Sequence, residues 1–229
     1  VAAHAQLGTY DTETEGEISN SLDVWIMPTE SVEKVDYYNW GGYFTTVFVH
    51  PRRGHFVDSP VGGVTYQTPT NWGVTSDSGA FDYFPGEKVK LWVGSLYLGE
   101  SGTDTKISPL DIFMKDINDA QVINMARLLQ SLDADGKPKP KITILPSVAG
   151  CLDMAMGELG LTEVDFADNE TIQALIDETL SQCEGNPEAT LVEVSAADAA
   201  ANLTDGISDS GIFRKNVSKT EDWGETKQK

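Results

Sequence analysis

The chain has 229 residues and a formal net charge of −20, because 36 acidic side chains stand against 16 lysines and arginines. Binding to nucleic acid or to anionic lipid needs a basic surface, so this composition argues against both. No apolar run reaches the roughly 18 residues of a membrane-spanning helix. The apolar content of 40% is ordinary for a globular protein with a core.

The first hundred residues predict a series of β-strands. Alternation of apolar residues predicts a strand over 22–27 that ends at Pro28. An unbroken run of β-branched and aromatic residues predicts another over 43–50, before Pro51. A third strand follows around residues 64–68, with its apolar side chains on one face.

The stretch GVTSDSGAFDYFPGEKVKLWVGSLYLGE, residues 73–100, predicts strands joined by tight turns. Residues 76–79 and 85–86 have turn chemistry, because aspartate bonds its own backbone and glycine supplies a positive φ. Alternation over 88–93 places one face in the core and lysines outside. We expect a bulge at Gly94, after which the same ladder continues.

The second half of the chain changes to a helical pattern. Apolar residues recur at helical spacing after Asp119 and again after Asp168, and both aspartates are predicted to be N-caps. Ser195 and Asp198 form a variant of the capping box ahead of a short, Ala-rich helix. Two short strands are predicted between these helices, over 141–145 and 190–194.

These patterns together predict an α+β protein that is mainly β in its first half. We expect a β-rich region over residues 1–105 and a mixed helical region over 106–229 that packs on it, so that the two form one compact unit. No repeat of 20–50 residues occurs in the sequence, which argues against a solenoid or a propeller.

The two cysteines, Cys151 and Cys183, have two interpretations. A disulfide would close a loop of about 33 residues and stabilise the fold by about 3–4 kcal/mol, whereas the alternative is a pair of buried free thiols. We expect the disulfide, because both cysteines lie at or near the ends of apolar helical stretches and the sequence contains no other cysteine. Disulfides persist in oxidising compartments. The Ala3-x-Ala5 spacing is typical of a signal-peptidase site. Together with the acidity, these features lead us to expect an exported protein.

Two groups of residues are candidates for metal binding. Asp133-x-Asp135-Gly136 begins like a calcium loop, whose alternate carboxylates converge on a hard cation, but lysines follow and no acid stands at the twelfth position. His50 and His55 lie close together in sequence and could ligate copper. The structural alternatives are a solvated turn that follows a helix, a strand end at His50 and a turn around His55.

Several spaced motifs resemble a known module. DSPVGGVTY at 58–66, GVTSDSGAFDYFPGEKV at 73–89 and GSLYLG at 94–99 resemble the transthyretin-like sandwich, also called a carboxypeptidase-regulatory-like domain, of exported bacterial surface proteins and lipoproteins. NMARLLQSLDADG at 124–136 is similar to the helix and acidic loop that follow this module in such proteins. A looser likeness occurs over 195–203.

This resemblance implies a transthyretin-like or Ig-like β-sandwich, followed by short helices, with a role in display, spacing or attachment. The sequence contains no nucleophile elbow, phosphate loop or His-Glu-x-x-His motif. We therefore expect a non-catalytic, cofactor-free subunit of an extracellular or cell-surface assembly such as a filament, with itself or other surface proteins as partners. The alternative is an exported protein that binds copper or calcium.

The N-terminal segment is a candidate for making such an assembly. Residues 1–10 contain no proline and no aspartate, glutamate, lysine or arginine. Such a segment can lie extended along the open sheet edge of a neighbouring chain as an added strand. Such donation joins two different surfaces of neighbouring chains, and it makes a filament where the rotation between them does not close a ring. The alternative is that residues 1–10 pack on their own domain.

Overall fold

The computed structural model describes residues 51–209, together with the backbone of four earlier strands. These strands are β1 (Ala3–Gln6), β2 (Asp23–Ile26), β3 (Glu33–Tyr38) and β4 (Phe44–Val49). β1 pairs with β2 and β3 pairs with β4, both antiparallel and within the same chain. The strands predicted over 22–27 and 43–50 are therefore confirmed as β2 and β4.

Residues 51–209 begin with seven short strands and continue with five helices, and one further short strand lies between the second and the third helix. The strands are β5 (Arg52–His55), β6 (Val61–Gly62), β7 (Thr65–Gln67), β8 (Trp72–Val74), β9 (Ala80–Tyr83), β10 (Lys88–Val93), β11 (Leu96–Gly102) and β12 (Ile142–Thr143). The helices are α1 (Pro109–Phe113), α2 (Ala120–Ser131), α3 (Pro146–Glu158), α4 (Asn169–Gln182) and α5 (Ala196–Asp209).

The largest described sheet has four antiparallel strands in the order β11-β10-β7-β8. β5 pairs with β9, and β6 pairs in parallel with β12, so a strand from the second half of the chain joins the first half. The predicted bulge at Gly94 is wrong. Gly94 has a φ of 54° and forms the hairpin turn between β10 and β11, while the register irregularity lies between Leu91 and Trp92.

The side chains of this sheet alternate between core and solvent as predicted. Val89, Leu91 and Val93 are fully buried, whereas the intervening Lys88 and Lys90 are exposed. The buried face packs into one hydrophobic core that includes α2, α3 and α4. The combination of an antiparallel sheet with helices confirms the mixed α and β composition.

The three predicted helix starts are confirmed. The side chain of Asp119 accepts a hydrogen bond from the first turn of α2, and the side chain of Asp168 does the same for α4. Ser195 Oγ accepts the Asp198 N–H at 3.1 Å and donates to the Asp198 carboxylate at 2.7 Å. These side chains satisfy backbone N–H groups that have no partner within the helix.

The strand predicted over 190–194 does not form. The backbone of Val194 is instead bonded by side chains of α2, because Arg127 Nε donates to its carbonyl at 3.1 Å and its N–H donates to Ser131 Oγ at 2.9 Å. The strand predicted over 141–145 is shorter than expected and corresponds to β12. Helix α1 is present although the sequence analysis did not predict it, and α3 extends to both sides of Cys151, where a helix end was expected.

Candidate interaction site

The two cysteines form a disulfide that joins α3 to α4. The Sγ atoms of Cys151 and Cys183 are 2.09 Å apart, and the structure contains no free cysteine. Cys183 ends α4, as expected for a cysteine at the end of a helix. Cys151 lies in the middle of α3, so its expected place near a helix end is wrong. The bond fixes the two helices against the shared core.

The two histidines proposed for copper are not brought together by the described residues. His50 lies outside them, and His55 is the last residue of strand β5, so its predicted position in a turn is wrong. His55 Nδ1 lies 2.9 Å from the carbonyl oxygen of Ser78 and therefore donates to it, because a carbonyl only accepts. Within residues 51–209, no group of three or more His, Cys, Asp or Glu side chains is arranged to hold a metal ion.

The aspartates proposed for calcium bind backbone N–H groups. Asp133 Oδ1 accepts from the Thr143 N–H at 2.7 Å, and Asp133 Oδ2 accepts from the Lys137 N–H at 2.9 Å. Asp135 accepts from the same Lys137 N–H at 2.8 Å. Burial raises the pKa of Asp133 to about 6. In this structure the carboxylates tie the loop after α2 to strand β12.

A buried carboxyl that the sequence analysis did not single out lies between the strands and the helices. Asp58 is fully buried, and Gln130 Nε2 lies 2.9 and 3.1 Å from its two oxygens. Gln130 Oε1 accepts from Asn202 of α5 at 3.0 Å, which extends the chain of hydrogen bonds. Burial raises the pKa of Asp58 to about 8, against the opposing effect of the Gln130 hydrogen bond.

A cleft of about 700 Å³ opens beside this buried group and includes its sequence neighbour Ser59. Its charged lining consists of Lys106, Lys139 and Asp209, together with His55. Lys139 Nζ lies 2.5 Å from the carboxylate of Asp205, which neutralises part of the positive charge. The described hydrogen bonds of this cleft do not pair a serine hydroxyl with the imidazole of His55.

An uncharged segment surrounds strand β8. Residues 59–76 contain no Asp, Glu, Lys, Arg or His, although 23% of all residues are charged. This is the longest run in the chain without a charged residue, and it contains β6, β7 and β8. The pattern is visible in the sequence, but its significance depends on where β8 lies in the sheet.

Strand β8 forms one edge of the four-stranded sheet. The backbone N–H and C=O groups on its side away from β7 have no partner strand among the described residues. The Thr75 N–H donates to the Val64 carbonyl at 2.8 Å, and the Thr68 N–H donates to the Asn71 carbonyl at 2.7 Å. Because hydrogen-bonded pairs alternate along an antiparallel ladder, Gly73 also faces β7. The N–H and C=O groups of the intervening residues in β8 therefore point away from the sheet.

The side chains at these outward-pointing positions are apolar and exposed. Trp72 is 83% exposed and Val74 is 60% exposed, and both lie on the same face because they are two residues apart. We call Trp72, Gly73 and Val74 the β8 edge. Within the described part of the chain its outward backbone groups have no partner strand, and its three residues are uncharged, with exposed apolar side chains on Trp72 and Val74.

The opposite edge of the sheet, strand β11, is protected. It carries the charged Glu100, and helix α1 packs against it so closely that a Cβ added at Gly99 would lie 2.3 Å from Ile112 Cγ2. Charges and covering helices are the usual means of preventing edge-to-edge association. Among the described residues, the β8 edge carries no charged side chain and no helix packs along it, so the two edges of one sheet differ in their capacity to accept another strand.

No family model, curated protein or solved structure matches this chain. No helix in the described part of the chain is long and apolar enough to cross a membrane. The chemistry of the β8 edge, the disulfide and the charge distribution therefore carry the functional interpretation.

Proposed function

We propose that this protein is a non-catalytic, exported structural protein whose β8 edge accepts an extended strand from a neighbouring chain in an extracellular or cell-surface assembly. The observation that carries this proposal is the open, uncharged and apolar β8 edge. Strand addition of this kind uses backbone hydrogen bonds for affinity and alternate side chains for specificity.

The energetics of the β8 edge favour occupation by another strand. Each backbone hydrogen bond formed there contributes about 0.5–1.5 kcal/mol. Burial of a large apolar side chain such as Trp72 contributes about 1.5–3 kcal/mol more. An edge left in this state in a free monomer promotes unspecific association, which proteins ordinarily prevent with charge or proline.

The disulfide and the acidity support a role outside the cytoplasm. The Cys151–Cys183 bond persists in an oxidising compartment, whereas cytosolic thiols are kept reduced. The net charge of −20 keeps copies apart except where uncharged surface meets uncharged surface. These properties suit a secreted subunit with one defined place of contact.

The resemblance to transthyretin-like surface modules agrees with this role. In that fold the four-stranded sheet would be one layer of a β-sandwich, and the module would serve in display or attachment. Donation of residues 1–10 to a neighbour is one form that the assembly could take. In the structure β1 is paired with β2 of its own chain, so its donation would use the side of β1 that faces away from β2 or would exchange that pairing.

Hydrogen–deuterium exchange with residue-level fragmentation tests the proposal. The dilute full-length chain is compared with assemblies recovered from the surface of producing cells. The amides of Trp72 and Val74 should exchange at least about ten-fold more slowly in the assembly. The amide of Gly73, which faces β7 in the single chain, is the internal control and should change little. Equal exchange of all three amides, or a cytoplasmic protein with reduced cysteines, would overturn the proposal.

A further inference from the structure

We infer that the partner at the β8 edge is a second copy of this chain, paired through its own β8 strand across a two-fold axis at Gly73. This inference rests on the proposed role of the β8 edge and names the chain that occupies it. The four-stranded sheets of the two copies then form one continuous sheet of eight strands.

The backbone of β8 is self-complementary in one antiparallel register. Trp72 and Val74 both direct their N–H and C=O groups outward. When Gly73 of each copy lies on the axis, Trp72 of one copy lies opposite Val74 of the other. Each such pair exchanges two backbone hydrogen bonds, which gives four across the axis.

Gly73 suits the position on the axis. The two central residues form a non-hydrogen-bonded pair, whose Cα atoms approach to about 4.5 Å and whose side chains are the closest in the ladder. Glycine has no side chain to collide there. On the inner face, a Cβ at Gly73 would lie 3.1 Å from the ring of Tyr66, so the same residue also allows β8 to pack closely on β7.

The outer-face side chains also complement each other in this register. Trp72 and Val74 lie on the same face of the sheet, so each copy places an indole beside a β-branched side chain of the other copy. Aromatic and β-branched residues are favourable cross-strand pairs in antiparallel sheets. Two such pairs form, one on each side of the axis, and both cover apolar surface that is exposed in the single chain.

Charge explains why a second copy can approach at the β8 edge. Two molecules of net charge −20 repel each other wherever their acidic surfaces come close. At physiological ionic strength this repulsion decays over about 8 Å. The uncharged segment 59–76 forms strands β7 and β8 and the connections beside them, so the contact itself brings no charged side chain of these strands together.

Paired cysteine variants test the register. The native cysteines form a disulfide with each other, so an introduced thiol is the single free one in its chain. Trp72→Cys and Val74→Cys should form a covalent dimer when mixed under mild oxidation, because these positions lie opposite each other. Neither variant should do so efficiently alone, because its thiols are diagonal and their Cα atoms lie beyond the roughly 7 Å that a disulfide can span.

Sedimentation equilibrium of the full-length chain tests the energetics. The wild type should form a measurable fraction of dimer within protein concentrations up to about 1 mM. The dissociation constant of this dimer should fall as added salt screens the net negative charge. Trp72→Lys should weaken the dimer at least about ten-fold, because it places charge at the contact. Met114→Lys is the matched control, since Met114 is 87% exposed at the end of α1, and it should leave dimerisation unchanged. Melting temperatures show whether both variants remain folded.

The outcomes separate this inference from the proposed function. A wild type that stays monomeric at about 1 mM, or equal cross-linking of mixed and single cysteine variants, overturns self-pairing. If Trp72 and Val74 are nevertheless protected from exchange in the native assembly, strand acceptance stands with another donor, such as residues 1–10. If that protection is absent too, both proposals are wrong.

Discussion

Replacement of Asp58 by Asn should remove a large part of the pH dependence of this protein's stability. Burial raises the pKa of Asp58 to about 8, from an ordinary value of 3.8. The folded state therefore holds this proton more tightly than the unfolded state does. The resulting stabilisation is fully present below pH 3.8 and is lost progressively as the pH rises to about 8.

The size of the effect follows from these two pKa values. Each pH unit within the window costs about 1.4 kcal/mol, so the contribution of Asp58 to the free energy of unfolding falls by roughly 4 kcal/mol over the three units from pH 5 to pH 8. That is a large share of the roughly 5–15 kcal/mol of a typical domain. The raised pKa of Asp133 acts in the same direction only up to about pH 6. The lowered pKa of Asp135 has the opposite sign, but it affects stability only below the ordinary value of 3.8 and so leaves this window unchanged.

Urea unfolding of the disulfide-intact protein at pH 5, 6.5 and 8 measures this contribution. The free energy of unfolding of the wild type should fall relative to that of Asp58→Asn as the pH rises. The quantity compared is the slope of this free energy against pH in the two proteins. A pH-independent change in stability caused by the new amide beside Gln130 does not alter this slope. Asp177→Asn removes one exposed negative charge and is the control. If the free energy of unfolding depends on pH in the same way in the wild type and in Asp58→Asn, the assignment of a raised pKa to this buried carboxyl is refuted.

Three further predictions concern the disulfide, the packing of two helical glycines and the loop after α2. Loss of the Cys151–Cys183 bond, by reduction or double replacement with Ser, should lower the free energy of unfolding by about 3 kcal/mol, and a melting temperature insensitive to reductant would contradict this. Gly206→Ala should lower the free energy of unfolding, measured by chemical denaturation, by more than about 2 kcal/mol, because the new Cβ would lie 1.7 Å from a backbone oxygen. Gly157→Ala is the matched control in open space and should raise the free energy of unfolding by about 0.5–1 kcal/mol. Asp133→Asn should cost about 1.5–3 kcal/mol, equally with and without calcium; a calcium-induced rise in melting temperature that this variant abolishes would show a metal ligand.

Features that depend on neighbouring residues were predictable from the sequence. The helix starts at Asp119 and Asp168 were found because a capping side chain and the N–H groups it satisfies lie within one turn. The alternation in β10 was found because burial of one face has a period of two. Helix α1 carried a comparable local signal that was overlooked, since the Ser108 N–H donates to Asp111 at 2.9 Å and Pro109 occupies the first helical position.

Features that depend on distant residues were not predictable in the same way. Thr190, Val192 and Val194 are β-branched, which is typical of a strand, yet no strand among the described residues pairs with this segment. Arg127 and Ser131, more than sixty residues earlier, satisfy the backbone of Val194 instead. Gly94 was interpreted as a bulge because the sequence shows only that alternation is interrupted. A turn and a bulge both interrupt it, and the pairing of β10 with β11 decides between them.

The β8 edge shows how the two kinds of information combine. The absence of charge over residues 59–76 is readable from the sequence alone, but it would mean little in a central strand, where buried residues are apolar in any case. The sheet order makes it informative. As far as residue 209, no later strand pairs with β8, because β9 pairs with β5 and β10 pairs with β7. This topology leaves β8 at the margin, with Trp72 and Val74 in solvent. A margin without charge, proline or a covering helix lacks the usual protection against strand addition, so its free backbone groups favour a partner strand.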